Sequence, residues 1–220
     1  MPALADLSPT PRSTPQRGRE RARADRTELY ALLDNCLICH LALVVDGTPL
    51  VLPTGYGRDG DTLYLHGSTG SASLRATRDG VPVCVSVTRV DGIVYARSVF
   101  HHSINYASAV IHGTATPVVD ESAKLRALEV LTEHLAPGSW TAARRPTRKE
   151  LAATSVLALS LHEASVKQRS GPPKDEPEDV TSDQSDWAGV LPLHQSWATP
   201  LPDPLLNGRP APDRVTQRRY

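Results

Sequence analysis

From residue 81 to 90 the chain reads Val-Pro-Val-Cys-Val-Ser-Val-Thr-Arg-Val, with valine at every second place from 81 to 87. A two-residue period marks a strand with one face buried. The same alternation, through Cys39, Leu41, Leu43 and Val45, predicts a strand over Leu37–Val45. Asp46-Gly47 is a hairpin turn, Pro49–Tyr56 the return strand, and Arg58–Asp61 a second turn into Leu63–His66. Pro53 implies a bulge or a position that needs no hydrogen bond. Asp91-Gly92 reads as a tight turn between Val81–Val90 and a strand Ile93–Ser98. Ser108–Val119 is a long strand with Gly113 as a bulge, and Thr154–Ala164 is the last strand.

Helical spacing replaces alternation elsewhere. Leu29, Leu32 and Leu33 predict a helix over Asp25–Asn35, capped by Asp25 or Thr27. Leu125, Leu128, Leu131 and Leu135 predict one over Asp120–Leu135, capped by Asp120. Thr147–Ala153 is a short helix with Glu150 three residues after its cap, and Ser71–Arg78 another. The strand-to-strand links are too short for the crossovers of a doubly wound sheet. The fold predicted is mainly β with peripheral helices, a small antiparallel barrel.

The two ends lack either period. Residues 1–24 are rich in Pro, Ser, Thr and Arg and read as a disordered arm. The folded domain is 25–165, and 166–220 is a proline-rich extension with an acidic run at Asp175–Asp179. Trp187, Val190, Leu191, Leu193 and Trp197 interrupt that extension, a patch (187–197) expected to dock on the domain or on a partner chain. Charge narrows the partners: 24 basic and 24 acidic side chains balance, so nucleic acid is not expected. No apolar run approaches the roughly 20 residues of a membrane span, and residues 1–24 hold no apolar signal segment. Three cysteines, an odd number, point to free thiols in a reducing cytoplasm.

Leu63–Arg75 carries the most suggestive chemistry. A strand runs into Gly67, Ser68, Thr69, Gly70 and Ser71 and then into a helix start bearing Arg75 and Arg78. Small residues, hydroxyls and a helix N-terminus suit a phosphate, although a serine-capped turn accounts for the same residues. Cys36-Leu37-Ile38-Cys39-His40 spells the c-type haem attachment motif, but on a strand the two thiols diverge, and buried structural cysteines are the expectation. A metal site at His101-His102 with His66 or His112 lacks a carboxylate at matching spacing, and G-x-S-x-G is absent. His101–Tyr106 reads more simply as the rim of a ligand pocket.

Taken together these segments resemble the pyridoxamine 5′-phosphate oxidase-like split barrels, and within them the flavin-nucleotide-binding branch that includes nitroimidazole-resistance proteins. The resemblance rests on Gly47-Thr48-Pro49 through Pro53, Leu63–Ser68 with Gly70-Ser71, Val83–Thr88, Asp91–Ser98, Phe100–Tyr106, Ser108, Val110, Gly113, Ala115 and Trp187–Pro192. It implies a six-stranded antiparallel split β-barrel, a homodimer, and FMN bound at the interface of two chains. His66, Gly67, Ser68, Ser71 and Arg75 would surround the phosphate and ribityl chain; Pro53, Thr54, Ser86 and Thr88 would line the isoalloxazine; Tyr106, Ser108 and Trp187 would come from the other subunit. The family often places Lys or Arg right after the Gly/Ser turn, where this chain has Ala72 and Ser73, so Arg75 would replace it. The implied activity is hydride transfer through the flavin to a small organic substrate, positioned by His101, His102 and Tyr106. Two other readings remain open: a flavin- or haem-binding carrier without turnover, and a reductase using the deazaflavin F420.

Overall fold

The computed structural model describes residues 6–71, 80–181, 186–206 and 208–218. Nine strands follow the two-residue pattern: β1 Ala22–Arg23, β2 Ile38–Val45, β3 Thr48–Asp59, β4 Thr62–Ser68, β5 Val81–Tyr95, β6 Ser103–Pro117, β7 Thr154–Ser160, β8 Ala164–Arg169 and β9 Gly189–Pro192. Two longer helices, α1 Arg26–Asn35 and α2 Glu121–Leu135, flank them. Strands β6, β7, β4, β3, β2 and β5 are hydrogen-bonded in that order, and β5 pairs again with β6, so six antiparallel strands close a ring. Outside the ring, β8 adds to β6, β1 to β8, and β9 to β5.

Alternation decides which side chains fill the ring. Leu41, Leu43, Val83, Val85, Val87, Ala109 and Ile111 are buried from one side, and Leu63, Leu65, Leu157 and Leu159 from the other. Each large side chain so buried contributes about 1.5–3 kcal/mol. Helix α1 covers one end of the ring with Leu29, Leu32 and Leu33. It starts at Asp25, whose carboxylate accepts from Thr27 N at 2.8 Å. Buried Arg26 donates to the carbonyls of Leu161 (2.9 Å) and His162 (2.7 Å), and buried Tyr56 donates to Leu33 O at 2.6 Å. Helix α2 is capped by Asp120 and lies on β3, where Gly57 meets its backbone directly. Thr147 and Glu150 form the expected capping box.

Several boundaries differ from the sequence expectation. Asp91-Gly92 is not a hairpin turn: β5 runs through it, with a register shift between Val90 and Gly92, and keeps its pairing to β6 as far as Val94–Ser103. Asp91 pairs with Arg89 at 2.6 Å, and β9 passes so close that a Cβ on Gly92 would lie 2.7 Å from Leu191 O. Gly113 is in regular register with Val83, and its missing side chain makes room for Leu159 Cδ1. Pro53 also sits in regular register with His40, on a stretch of β3 that pairs with β4 only from Tyr56 onward. The last strand divides into β7 and β8, which carries the sheet past residue 165.

The largest departure is the N-terminal arm. Residues 6–24 were expected to be disordered, yet Leu7 and Ser13 are buried and β1 pairs with β8. Thr10 and Arg12 hydrogen-bond to Glu163, Arg12 at 2.6 Å through both Nε and a terminal nitrogen. Composition predicts how little such a segment can bury on its own. It does not report the free sheet edge on β8 that takes up its backbone groups. The expected Trp patch is only partly covered: β9 pairs with β5, Trp187 packs on Tyr95, and Arg218 lies 4.3 Å over the Trp197 ring, while both indoles keep substantial exposure.

Candidate functional site

Strands β5 and β6 are paired along most of their length, so the pleat that buries Val85, Val87, Ala107 and Ala109 turns Ser86, Thr88, Ser108 and Tyr106 to the opposite face. Register places Thr88 beside Ser108 and Val90 beside Tyr106. At the end of this ladder the 3-10 turn Val99–His101 brings the chain back, and His102 closes the edge. The result is an open cleft of about 540 Å³ lined by Thr88, Val90, His102, Ile104, Tyr106 and Ser108. Its floor is flat strand backbone with small hydroxyl side chains, and its rim is apolar and aromatic. Such a surface suits a planar heteroaromatic ring laid against it.

Four expected site residues, Thr88, His102, Tyr106 and Ser108, meet in this cleft. Ser86 and Pro53 share its face farther along the sheet, both in register with His40. Thr54 is paired with buried Cys39 and so takes the other side of β3. His101 points its Nε2 toward Glu176 at 3.6 Å and packs edge-on against Phe100, outside the cleft lining. Trp187 joins the cleft's edge indirectly: its ring lies 5.9 Å from Tyr95, which in turn meets His102 at 5.8 Å.

The turn at His66–Ser71 lies elsewhere on the ring, where β4 pairs with β7. Ser68 Oγ accepts from Gly70 N at 3.1 Å, Ser68 O from Ser71 N at 2.9 Å, and Ala153 O from Thr69 N at 3.0 Å. Arg75 and the helix expected over Ser71–Arg78 fall largely outside the described residues. His66 is on the outer side of β4, and desolvation lowers its pKa.

Sequence reasoning missed three groups beside the cleft. His40 is exposed between Pro53 and Ser86, a position that period-two reading of β2 could have found. Arg97 binds the buried carboxylate of Asp175 through its backbone N–H (2.9 Å) and guanidinium (2.8 Å), while its buried Nε has no hydrogen-bond partner among the described residues. Lys167 and Arg169 continue the rows one strand on, opposite Ser108 and Tyr106. The thiols of the C-x-x-C-H motif are buried as expected, but Cys36 is the C-cap of α1 and precedes β2, so the two do not sit on one strand. Cys36 and Cys39 are buried, and burial pushes the Cys39 thiol up to about 12. Among the described residues no three His, Cys, Asp or Glu side chains gather as a metal site.

Comparison with known proteins identifies the family and the fold. Residues 25–168 fit the family model described as pyridoxamine 5′-phosphate oxidase. The chain belongs to that family. Its ring of strands is the flavin-binding fold of the pyridoxamine 5′-phosphate oxidase-like proteins. Among solved structures, the flavocytochrome Anf3 of Azotobacter vinelandii is 35% identical over 97% of this chain and 99% of its own, with a TM-score of 0.90. The FAD and heme binding protein of Mycobacterium smegmatis is 43% identical over 90% of this chain and 96% of its own, with a TM-score of 0.85. A candidate 5-nitroimidazole resistance protein from Bacteroides thetaiotaomicron shares the fold at 19% identity, covering 66% of this chain and 85% of its own, with a TM-score of 0.55. No curated protein matches the sequence. The likeness to these first two structures covers nine-tenths or more of the chain and so reaches beyond residues 25–168. No described helix is long and apolar enough to cross a membrane.

Proposed function

We propose that this chain is a flavin-dependent oxidoreductase that also holds haem and works as a cytoplasmic homodimer. The observation that carries the reading is the cleft on the β5–β6 face, where Thr88, Ser108, Tyr106 and His102 converge. Near-full-length similarity to a flavocytochrome and to a FAD- and haem-binding protein supports the pairing of the two groups.

The residues present fit both. For a flavin, hydroxyls of Ser86, Thr88 and Ser108 offer hydrogen bonds to a ring lying flat on the strands, and Val90, Ile104 and Tyr106 exclude water from its edge. For haem, His102 Nδ1 lies 3.0 Å from Ser98 O, which leaves Nε2 as the nitrogen available to iron. The Nε of Arg97, next to Ser98 and without a hydrogen-bond partner among the described residues, is a donor that a propionate would satisfy. Val99 and Phe100 are 91% and 89% exposed, apolar surface that a porphyrin or a second chain would cover. A bound flavin would supply one- and two-electron transfer, and haem iron single electrons.

Hydride transfer between a small organic molecule and the flavin is the second reading, favoured by the cleft's openness beside the proposed ring position. His102 and Tyr106 would then orient the substrate. FMN is the flavin implied by sequence resemblance, and FAD the one bound by the M. smegmatis relative.

Purification and absorption spectroscopy test the proposal. Flavin bands together with a Soret band are expected, with light scattering reporting a dimer. His102→Ala is expected to lose the Soret band and retain flavin. A purified protein that takes up neither group on reconstitution overturns the reading; flavin uptake without haem reduces it to the flavin oxidoreductase alone.

A further inference from the structure

Past Tyr106 the sheet continues from β6 to β8, and a second, separate recess lies at that edge. One strand farther, about 4.8 Å away in the hydrogen-bonding direction, Arg169 of β8 sits opposite Tyr106 and Lys167 opposite Ser108. Beyond β8 the ordered N-terminal arm delivers Arg21 and Arg23, and the chain after β8 delivers Lys174. Arg21, Arg23, Arg169 and Lys174 line a recess of about 220 Å³ whose only acidic lining residue, among the described residues, is Glu20. Glu20 touches Arg21 at 3.4 Å, and Glu28 lies 3.6 Å from Arg23. The guanidinium of Arg169 donates to Asn105 Oδ1, and at longer range to the carbonyls of Gly171 and Pro172, all neutral acceptors. Arg21 is close enough to Arg169 to help lower its pKa, behind the effect of desolvation.

Backbone geometry holds these cations together. Gly18 has φ +62°, and both Lys167 Nζ and Arg21 Cδ approach to 3.6 Å of where its Cβ would be. Lys167 Nζ also donates to Arg17 O at 2.6 Å, which ties the arm to β8. Concentrating like charges costs free energy unless an anion lies among them. Beside a cleft for a flavin ring, the anion of matching chemistry is a phosphate beyond the one FMN carries.

We propose that the Arg21–Arg169–Lys174 recess binds the adenosine-side phosphate of a dinucleotide, so that the chain selects FAD over FMN. The proposal rests on the flavin-binding reading above and adds to it a second anion site, built partly by the N-terminal arm. The arm therefore belongs to the cofactor site as well as to the sheet.

The test measures FAD and FMN affinity by flavin fluorescence quenching on the full chain and its variants. Wild type is expected to bind FAD at least tenfold more tightly than FMN. Arg169→Ala and the pair Arg21→Glu/Lys174→Glu are each expected to lower FAD affinity about tenfold or more, the worth of one charge-assisted hydrogen bond. FMN affinity should stay within about twofold. The Arg21/Lys174 pair keeps the test valid if Arg169→Ala disturbs Asn105 and the fold. Equal affinity of wild type for both flavins overturns the proposal, as does a parallel loss of FAD and FMN in the variants. FAD binding unchanged by the variants also overturns it, and leaves the recess to an acidic protein surface. If wild type binds no flavin, the flavin reading fails separately, and titration with ADP alone decides: binding lost in Arg21→Glu/Lys174→Glu upholds the anion site, and no binding overturns it.

Discussion

Gly57 is where the ring and its outer helix touch backbone to backbone, and Gly57→Ala tests how tightly that contact is drawn. A Cβ at this position would lie 2.9 Å from Leu131 N, Leu131 Cα and Val130 C, where ordinary contact begins at 3.4 Å. Helix α2 would have to retreat by about 0.5 Å, because no side chain stands between the two backbones to absorb the change. Overpacking of this kind costs about 1–3 kcal/mol, offset by roughly 0.4–1 kcal/mol from the reduced freedom of the unfolded chain. The expected net loss therefore centres near ~1.3 kcal/mol, within limits of about 0 and 2.6 kcal/mol. The retreat also pulls His134, on the same helix, from Cys36 O, which it meets at 2.8 Å. Gly55→Ala is the internal control, since its Cβ would meet only the flexible end of Leu135, at 3.2 Å. Chemical denaturation gives the two free energies, and hydrogen exchange along Glu121–Leu135 locates the loss. A Gly57→Ala protein as stable as wild type, or a Gly55→Ala protein equally damaged, refutes the close backbone approach.

Two further predictions concern titratable groups. Burial lowers the pKa of His134 below its ordinary 6.5, with the Cys36 carbonyl opposing the shift. The unfolded chain thus takes up a proton before the folded one, so this contribution to stability is complete above about pH 6.5 and is lost as pH falls toward the folded value. Melting temperature should decline across that window, and His134→Gln should flatten the decline; an unchanged slope in the variant assigns it to other groups, His66 first. Under native conditions a small alkylating reagent should modify half-exposed Cys84 well before Cys36 or Cys39, because both of these are buried and the Cys39 thiol is pushed up to about 12. Peptide mass spectrometry reads the order, and early labelling of Cys39 would mean that its side of the ring is open.

The strands were legible because alternation is a local property: Val81–Val90 and Leu41–Val45 announce their buried faces one residue at a time. Helix caps at Asp25, Asp120 and Thr147 were legible for the same reason. What escaped was set by partners distant in sequence. Asp91-Gly92 carries a strong turn signal, and pairing with both β6 and β9 overrides it. The arm's order comes from Glu163 and from the edge of β8, some 150 residues away. At the candidate site, Thr88, Tyr106 and Ser108 were expected from family resemblance and meet on one face. Lys167 and Arg169 join that face only once strand order is known. Period-two reading assigns a residue to a face, but not to a neighbour.

The long ladder of β5 and β6 has a practical corollary for anyone wishing to re-engineer the protein. Ala107, Ala109 and Ile111 are committed to the interior, while Tyr106, Ser108 and Val110 between them are not. Stability and ligand chemistry are thus written on alternate residues of one strand, in two interleaved alphabets. A library varied only at 88, 104, 106, 108 and 110 can search new ring substituents or substrates without spending core packing. A library shifted by one residue would test the fold and teach nothing about the ligand.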